Sequence, residues 1–74
     1  MEAIFYKVQV FATDIRTESD LQKVSVALNE NTEIHRWSID QEDEDCVLRV
    51  ESILTKDEII ELIISHKFDC AELN

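Results

Sequence analysis

A chain of 74 residues with a formal net charge of −10 is too acidic to favour nucleic acid or anionic membranes, which are themselves negatively charged. Hydrophobic residues make up 45% of the sequence, which argues against disorder. We expect one domain over residues 1–74, since the length suits no more than one. The absence of glycine and proline excludes glycine-rich phosphate loops, and any positive φ is expected to fall on Asn or Asp.

The two cysteines, Cys46 and Cys70, do not form a Cys-x-x-Cys pair, so their spacing predicts neither a zinc site nor a dithiol redox site. We expect both to be reduced, buried thiols. The first residues, MEAIFYK, lack the basic and apolar segments of a signal peptide. No apolar run approaches the roughly 20 residues that cross a bilayer. These features favour a cytoplasmic protein.

Residues 3–11 predict the first strand, because they are rich in β-branched and aromatic side chains. Tyr6, Val8 and Val10 fall on one face of this strand, and Phe11 falls on the other. Since both faces carry apolar groups, we expect the strand to lie in the interior of a sheet.

Residues 18–28 predict the first helix, because their apolar side chains recur along one helical stripe. Thr17 can cap the start of this helix, and Asp20 adds negative charge near the positive end of its dipole. The helix is expected to end within residues 29–31, where Asn takes the place that glycine usually holds.

Residues 33–40 and 46–51 predict two further strands, which pair antiparallel because a short polar connection joins them. The alternation within the first of these strands predicts that His35, Trp37 and Ile39 share one face.

The start of the second helix has the clearest local signal, because Thr55 and Glu58 fit the capping box. Residues 68–73 follow as a short closing strand. The resulting β-α-β-β-α-β order predicts an α+β, ferredoxin-like sandwich with a four-stranded antiparallel sheet and both helices on one face. The expected core consists of Phe11, Ile15, Leu21, Val24, Leu28, Trp37, Ile39, Leu48, Val50, Ile59, Ile63 and Phe68.

The element order and apolar pattern of nearly the whole chain resemble those of heavy-metal-associated domains, a family that includes copper chaperones. Residues 13–16 resemble the strand end that leads into the Cys-x-x-Cys loop of that family. Residues 38–40 and 47–50 resemble its second and third strands, and residues 57–60 with 68–72 resemble its second helix and last strand.

This resemblance implies a site of two thiolates, three positions apart, that clamp a soft ion such as Cu(I). Aligning Ile15 with the buried apolar residue before the loop places Thr17 and Asp20 at the two cysteine positions. Neither residue supplies sulfur, and one carboxylate is far below the roughly six oxygen ligands that calcium requires. We therefore expect no metal and no cofactor here, with Thr17 and Asp20 capping the helix instead.

Other residues of catalytic or ligating type favour structural roles. The acidic run over residues 40–45 lacks the glycine and terminal glutamate of a calcium loop and predicts a solvated hairpin tip. His35 is expected to be a sheet-face side chain. Cys46, His66 and Cys70 are possible ligands, which leaves open an alternative function, a metal-binding or metal-transport domain that uses relocated ligands.

No residues predict catalysis. An acylphosphatase-like enzyme would share the element order, but the loop between the first strand and the first helix is acidic and lacks glycine, so it should repel phosphate. No nucleophile, base and third group can be named together. We therefore expect a protein that is not an enzyme.

The sequence favours a protein-interaction module, because one sheet face is left apolar. If the helices cover the side of Phe11, the opposite side, here called the open face, carries apolar side chains that suit a protein partner or a homodimer. A β-bulge in the first strand could turn its valines inward, and packing of Val8 and Val10 on Val47 could cover part of the patch. The expected interface residues are Tyr6, Val8, Val10, Arg36, Val47 and Arg49.

Overall fold

The computed structural model describes residues 5–73 and contains the predicted β-α-β-β-α-β order. Residues 3 and 4 of the predicted first strand lie outside the described residues, and the first helix runs beyond residue 28. The elements are β1 (Lys7–Thr13), α1 (Glu18–Glu30), β2 (Ile34–Asp40), β3 (Val47–Ser52), α2 (Lys56–Ser65) and β4 (Cys70–Glu72).

The strands form one antiparallel sheet in the order β2-β3-β1-β4. This arrangement confirms the predicted ferredoxin-like α+β sandwich. It also confirms the interior position of the first strand, which pairs with β3 on one side and with the short β4 on the other.

The core lies between the two helices and one face of the sheet. Phe11 and Leu48 from the sheet are fully buried together with Leu28 from α1 and Ile63 from α2. All twelve residues predicted for the core are either buried or packed against it. The prediction missed Leu54, which is buried in the link between β3 and α2.

The second helix begins at the predicted capping box. The Thr55 hydroxyl accepts a hydrogen bond from the Glu58 amide at 3.2 Å, and the Glu58 carboxylate accepts one from the Thr55 amide at 3.0 Å. Two amides that have no partner within the helix are thereby satisfied by the residues that the sequence indicated.

The second helix ends in a Schellman motif that has lysine in its left-handed position. Lys67 has φ 71°, and its amide donates to the Ile64 carbonyl at 2.9 Å. The amide of Phe68 donates to the Ile63 carbonyl at 3.4 Å. Glycine usually fills this position because a Cβ is unfavourable there.

The expectation that positive φ would fall on Asn or Asp is wrong. Cys46 and Lys67 hold the positive φ angles, at 42° and 71°. Asn31, which ends α1, has φ −82°, so α1 closes without a left-handed residue. The two positions follow from the backbone geometry of the β2–β3 connection and of the α2 end, and not from residue type.

The prediction that His35 shares a face with Trp37 and Ile39 is wrong, because β2 contains an irregularity. The register with β3 shifts between Ile34 and Arg36. Ile34 packs against the core beside Trp37, and His35 is exposed. An extra residue of this kind moves one side chain out of the alternation.

Candidate functional site

The first loop, residues 14–17 between β1 and α1, ends in a capping box made by the two residues at the predicted degenerate positions. The Thr17 hydroxyl accepts from the Asp20 amide at 3.0 Å. One carboxylate oxygen of Asp20 accepts from the amides of Thr17 at 3.2 Å and Arg16 at 3.4 Å. The capping role predicted for Thr17 is therefore present.

The charge of Asp20 suits this position. The backbone hydrogen bond from Thr17 holds the pKa of the Asp20 carboxyl below its usual value. A carboxylate at a helix start also meets the positive end of the helix dipole. The amides of Arg16, Thr17 and Asp20 at the start of α1 are thus satisfied by the chain itself.

Two neighbouring segments hold the first loop in place. The Gln41 side-chain amide, from the β2–β3 connection, donates to the Ile15 carbonyl at 3.2 Å and to the Thr17 carbonyl at 3.0 Å. From the α2–β4 link, the Asp69 amide donates to the Asp14 carboxylate at 2.8 Å. Ile15 is fully buried beneath these contacts.

The two cysteines lie on opposite sides of Thr13, at the end of β1. Cys46 is buried; its carbonyl accepts from the Thr13 hydroxyl at 2.7 Å, and its sulfur lies 3.6 Å from a guanidinium nitrogen of Arg16. Cys70 is opposite Thr13 in the β1–β4 register and is half-buried. This burial raises the pKa of the Cys70 thiol to about 11, so the group is a thiol at neutral pH.

The third residue of the alternative metal site, His66, lies away from Cys70. His66 lines a groove between the helices with Lys23 and Leu62, whereas Cys70 lines a second groove with Arg16. The Nδ1 atom of His66 is 2.9 Å from the Leu62 carbonyl oxygen. Within residues 5–73 no three His, Cys, Asp or Glu side chains gather in a metal-holding group.

The acidic β2–β3 connection is organised by its own side chains. The Asp40 carboxylate accepts from the Glu42 amide at 3.1 Å, and the Asp43 carboxylate accepts from the Asp45 amide at 2.9 Å. Such turns are a common local use of Asp side chains. The connection has the solvated, exposed character that the sequence predicted.

The register places the predicted interface residues of the sheet strands on the open face. Val10 is opposite Arg49, and Val8 is opposite Glu51, which in turn is opposite Arg36. Opposite residues in an antiparallel pair share a face, and successive residues alternate. Val47 shares this face because it alternates with the buried Leu48.

The valines of β1 do not turn inward. β1 pairs with β3 without interruption from Lys7 to Phe11, so the bulge considered for the first strand lies in β2 instead. Val8 is 47% exposed, and Val10 and Val47 are half-buried. Val10 faces Arg49 directly, so Val47 is its diagonal neighbour and does not lie opposite it.

The two arginines of the open face differ in their surroundings. A guanidinium nitrogen of Arg36 lies 3.8 Å from the Glu51 carboxylate. Arg49 is exposed and makes no ion pair within residues 5–73. Of the two arginines, Arg49 is therefore the one whose charge is not paired by any described residue.

At one end of the open face Tyr6 stacks on His35, with ring centroids 4.4 Å apart and ring planes 11° apart. Sequence reasoning placed Tyr6 on this face but put His35 on the other. The missed signal is the spacing of Ile34 and Trp37, since two apolar residues three positions apart cannot share one side of a regular strand.

No family model and no curated protein sequence matches the chain, but solved structures do. The copper(I)-loaded first domain of the human copper chaperone for SOD1 has a TM-score of 0.80 and 16% identity, covering 90% of this chain and 92% of that one. The apo heavy-metal-associated domain of a copper chaperone for superoxide dismutase has a TM-score of 0.77 and 14% identity, covering 100% and 76%.

A third structure, the CsoZ metallochaperone, has a TM-score of 0.76 and 14% identity, covering 89% of this chain and 97% of that one. The chain has the heavy-metal-associated fold. The resemblance predicted from the sequence is thereby confirmed at the level of the fold. Within the described residues, neither helix of this fold is long and apolar enough to traverse a lipid bilayer.

Proposed function

We propose that this chain is a non-catalytic, cytoplasmic accessory domain with the heavy-metal-associated fold. It binds another protein through its open face and carries no ion on thiolates at its first loop. The observation that most directly supports the absence of a thiolate-bound ion is the reciprocal capping of Thr17 and Asp20. Thr17 and Asp20 occupy the positions of the metal ligands in the family. Each side chain instead accepts a hydrogen bond from the backbone amide of the other residue.

The chemistry of the first loop supports the absence of thiolate binding. Thr17 and Asp20 offer oxygen atoms, whereas Cu(I) prefers soft sulfur ligands. A hard cation would compete with the amides that these oxygens already accept, and a single cap of this type stabilises a protein by about 1 kcal/mol. The contacts from Gln41 and Asp69 further disfavour rearrangement of the loop.

The open face supports an interaction role. Exposed Val8 and Tyr6 lie on the same surface as Arg49, and tyrosine and arginine are favoured at the centres of protein interfaces. A partner that buried Arg49 without a carboxylate would leave its charge unpaired, which is costly. The partner surface should therefore be apolar and carry an acidic side chain opposite Arg49.

Titration with Cu(I) under reducing conditions, followed through backbone amide shifts, tests the loop. We expect no tight one-to-one binding with shifts centred on residues 15–21. Such shifts would overturn the proposal. Shifts centred on Cys46, His66 and Cys70 that vanish in a Cys46→Ser, Cys70→Ser variant would support the alternative, a metal carrier with relocated ligands.

Affinity capture with matched variants tests the open face. Val8→Glu and Arg49→Glu should abolish recovery of the partner retained by the wild type. Val26→Glu and Lys23→Glu make the same chemical changes at exposed positions of α1 and should leave recovery unchanged. Equal recovery by all variants, or no specific protein retained by the wild type, would contradict the proposed role.

A further inference from the structure

The outer edge of β2 is a second surface that could bind a protein, and it is distinct from the open face. β2 is the terminal strand of the sheet and pairs only with β3 among the strands of the described chain. It contains seven residues and no proline, whereas the opposite edge, β4, has only three residues. A long edge strand presents unpaired backbone groups that can pair with another strand.

The irregularity in β2 limits this edge to five regular residues. The register shifts between Ile34 and Arg36, and from Arg36 to Asp40 each residue has an uninterrupted partner on β3. The centre of this regular segment is Ser38. Arg36, Ser38 and Asp40 face the open side, whereas Trp37 and Ile39 pack toward the core.

The sequence of this segment is complementary to itself. If a second copy approaches antiparallel with the two Ser38 residues opposite, Arg36 lies opposite Asp40 of the second copy. On the other face, Trp37 lies opposite Ile39 of the second copy. Opposite charges and apolar pairs placed directly across antiparallel strands both stabilise the pairing.

We propose that two copies of this chain pair antiparallel along β2, centred on Ser38, and join their sheets into one. The arrangement has a two-fold axis through the Ser38 pair, so each contact occurs twice, as in an isologous dimer. Both helix layers then lie on the same side of the joined sheet, and the two open faces form one continuous surface.

Other registers within the strand lack this match. Centring the pair on Trp37 places Asp40 opposite Ile34 and leaves Arg36 opposite Ser38. Centring it between two residues places apolar side chains opposite polar ones and turns the helix layers to opposite sides.

The charges of this segment are accessible for such a contact. The Arg36 side chain is 72% exposed, and its contact with Glu51 is 3.8 Å long, which leaves other guanidinium nitrogens free. Asp40 is exposed and uses one carboxylate oxygen for the Glu42 amide, so the second oxygen can accept from arginine. The overall charge of −10 opposes self-association, so the local pairs must offset a general repulsion.

Sedimentation velocity over a wide concentration range at about 0.15 M salt, where long-range repulsion is screened, tests the proposal. The wild type should move from monomer to dimer as its concentration rises. Trp37, the only tryptophan of the chain, should change its fluorescence over the same range. A monomer up to millimolar concentration would overturn the proposal.

Charge exchange identifies the edge and the register. Arg36→Asp and Asp40→Arg each place like charges opposite each other twice, so each should weaken the dimer by roughly tenfold or more. The double variant restores opposite pairs and should restore the dimer. An equimolar mixture of the two single variants should form a heterodimer, because each supplies the charges that the other lacks.

A charge change on the neighbouring strand separates this surface from the open face. Arg49→Asp makes the same charge change on the neighbouring strand and should leave the dimer intact. Circular dichroism of every variant establishes that it is folded. If Val8→Glu abolished self-association and the Arg36 and Asp40 variants did not, the copies would pair through the open face and this proposal would be wrong.

Discussion

Lys67 shows at the scale of one residue how a sequence without glycine manages a left-handed position. Its φ of 71° closes the Schellman motif at the end of α2. A residue with a Cβ costs roughly 1–2 kcal/mol more than glycine in this conformation. The chain therefore stores a local strain that a single substitution can relieve.

Lys67→Gly should raise the free energy of unfolding by about 1 kcal/mol, because the relief of strain exceeds the added flexibility of the unfolded chain. Urea denaturation measures this change. Lys23→Gly, at an exposed interior position of α1, serves as the control and should lower stability by about 1 kcal/mol. Destabilisation by both substitutions would contradict the interpretation of the α2 end.

At the scale of the element, both helices begin with the same device. Thr17 with Asp20, and Thr55 with Glu58, form reciprocal capping boxes. Hydrogen bonds from the threonine backbone lower the pKa of the Asp20 and Glu58 carboxyls. The ionised carboxylates are therefore favoured in the folded state.

A variant with Asp20→Asn and Glu58→Gln should lose less stability than the wild type as the medium is acidified. A lowered folded-state pKa contributes stability above the unfolded value, about 4 for both groups, and this contribution is lost as pH falls through the folded value. Urea denaturation from pH 7 down to about pH 3 measures the two slopes. Parallel curves would show that the caps do not depend on charge.

The elements differ in how far the sequence determines them. The capping boxes were predictable because their partners are three positions apart in the chain. The bulge in β2 was missed because the alternation of His35, Trp37 and Ile39 is itself regular. The spacing of Ile34 and Trp37 indicates an extra residue only when both are known to pack against the core. The face of His35 therefore depends on the packing of Ile34 and Trp37 against the core, which the pattern of β2 alone does not show.

The candidate surfaces divide in the same way. The alternation of β1 and β3 sufficed to place Val8, Val10 and Arg49 on the open face. The pairing of Arg36 with Glu51 depends on the register between two strands, which no local pattern fixes. Likewise, the positions of Cys46 and Cys70 on either side of Thr13 follow from strand order rather than from spacing in the chain.

At the scale of the whole molecule, stability rests on one thin core. A domain of this size buries roughly 60% of the surface that its unfolded chain exposes. Two adjacent residues of α2 differ sharply in exposure. Ile63 is fully buried in the core, whereas Ile64 is 53% exposed.

Ile63→Ala should lower the free energy of unfolding by about 2–5 kcal/mol, because it removes buried methyl groups and leaves a cavity. Ile64→Ala changes the same residue type one position along the helix and should cost less than about 1 kcal/mol. Thermal and urea denaturation measure both changes. Equal losses would show that the helix packs in a different rotation from that described.

The placement of Cys46 and Cys70 on either side of β1 has a consequence for oxidative conditions. Thr13 of β1 separates the two residues, and strands two apart in a sheet lie about 10 Å from each other. A disulfide requires Cα atoms closer than about 7 Å, so the domain cannot lock itself with an internal bridge while the sheet is intact. Cys46 is buried and Cys70 is half-buried, so any disulfide of the folded domain would have to form through Cys70 with a second molecule.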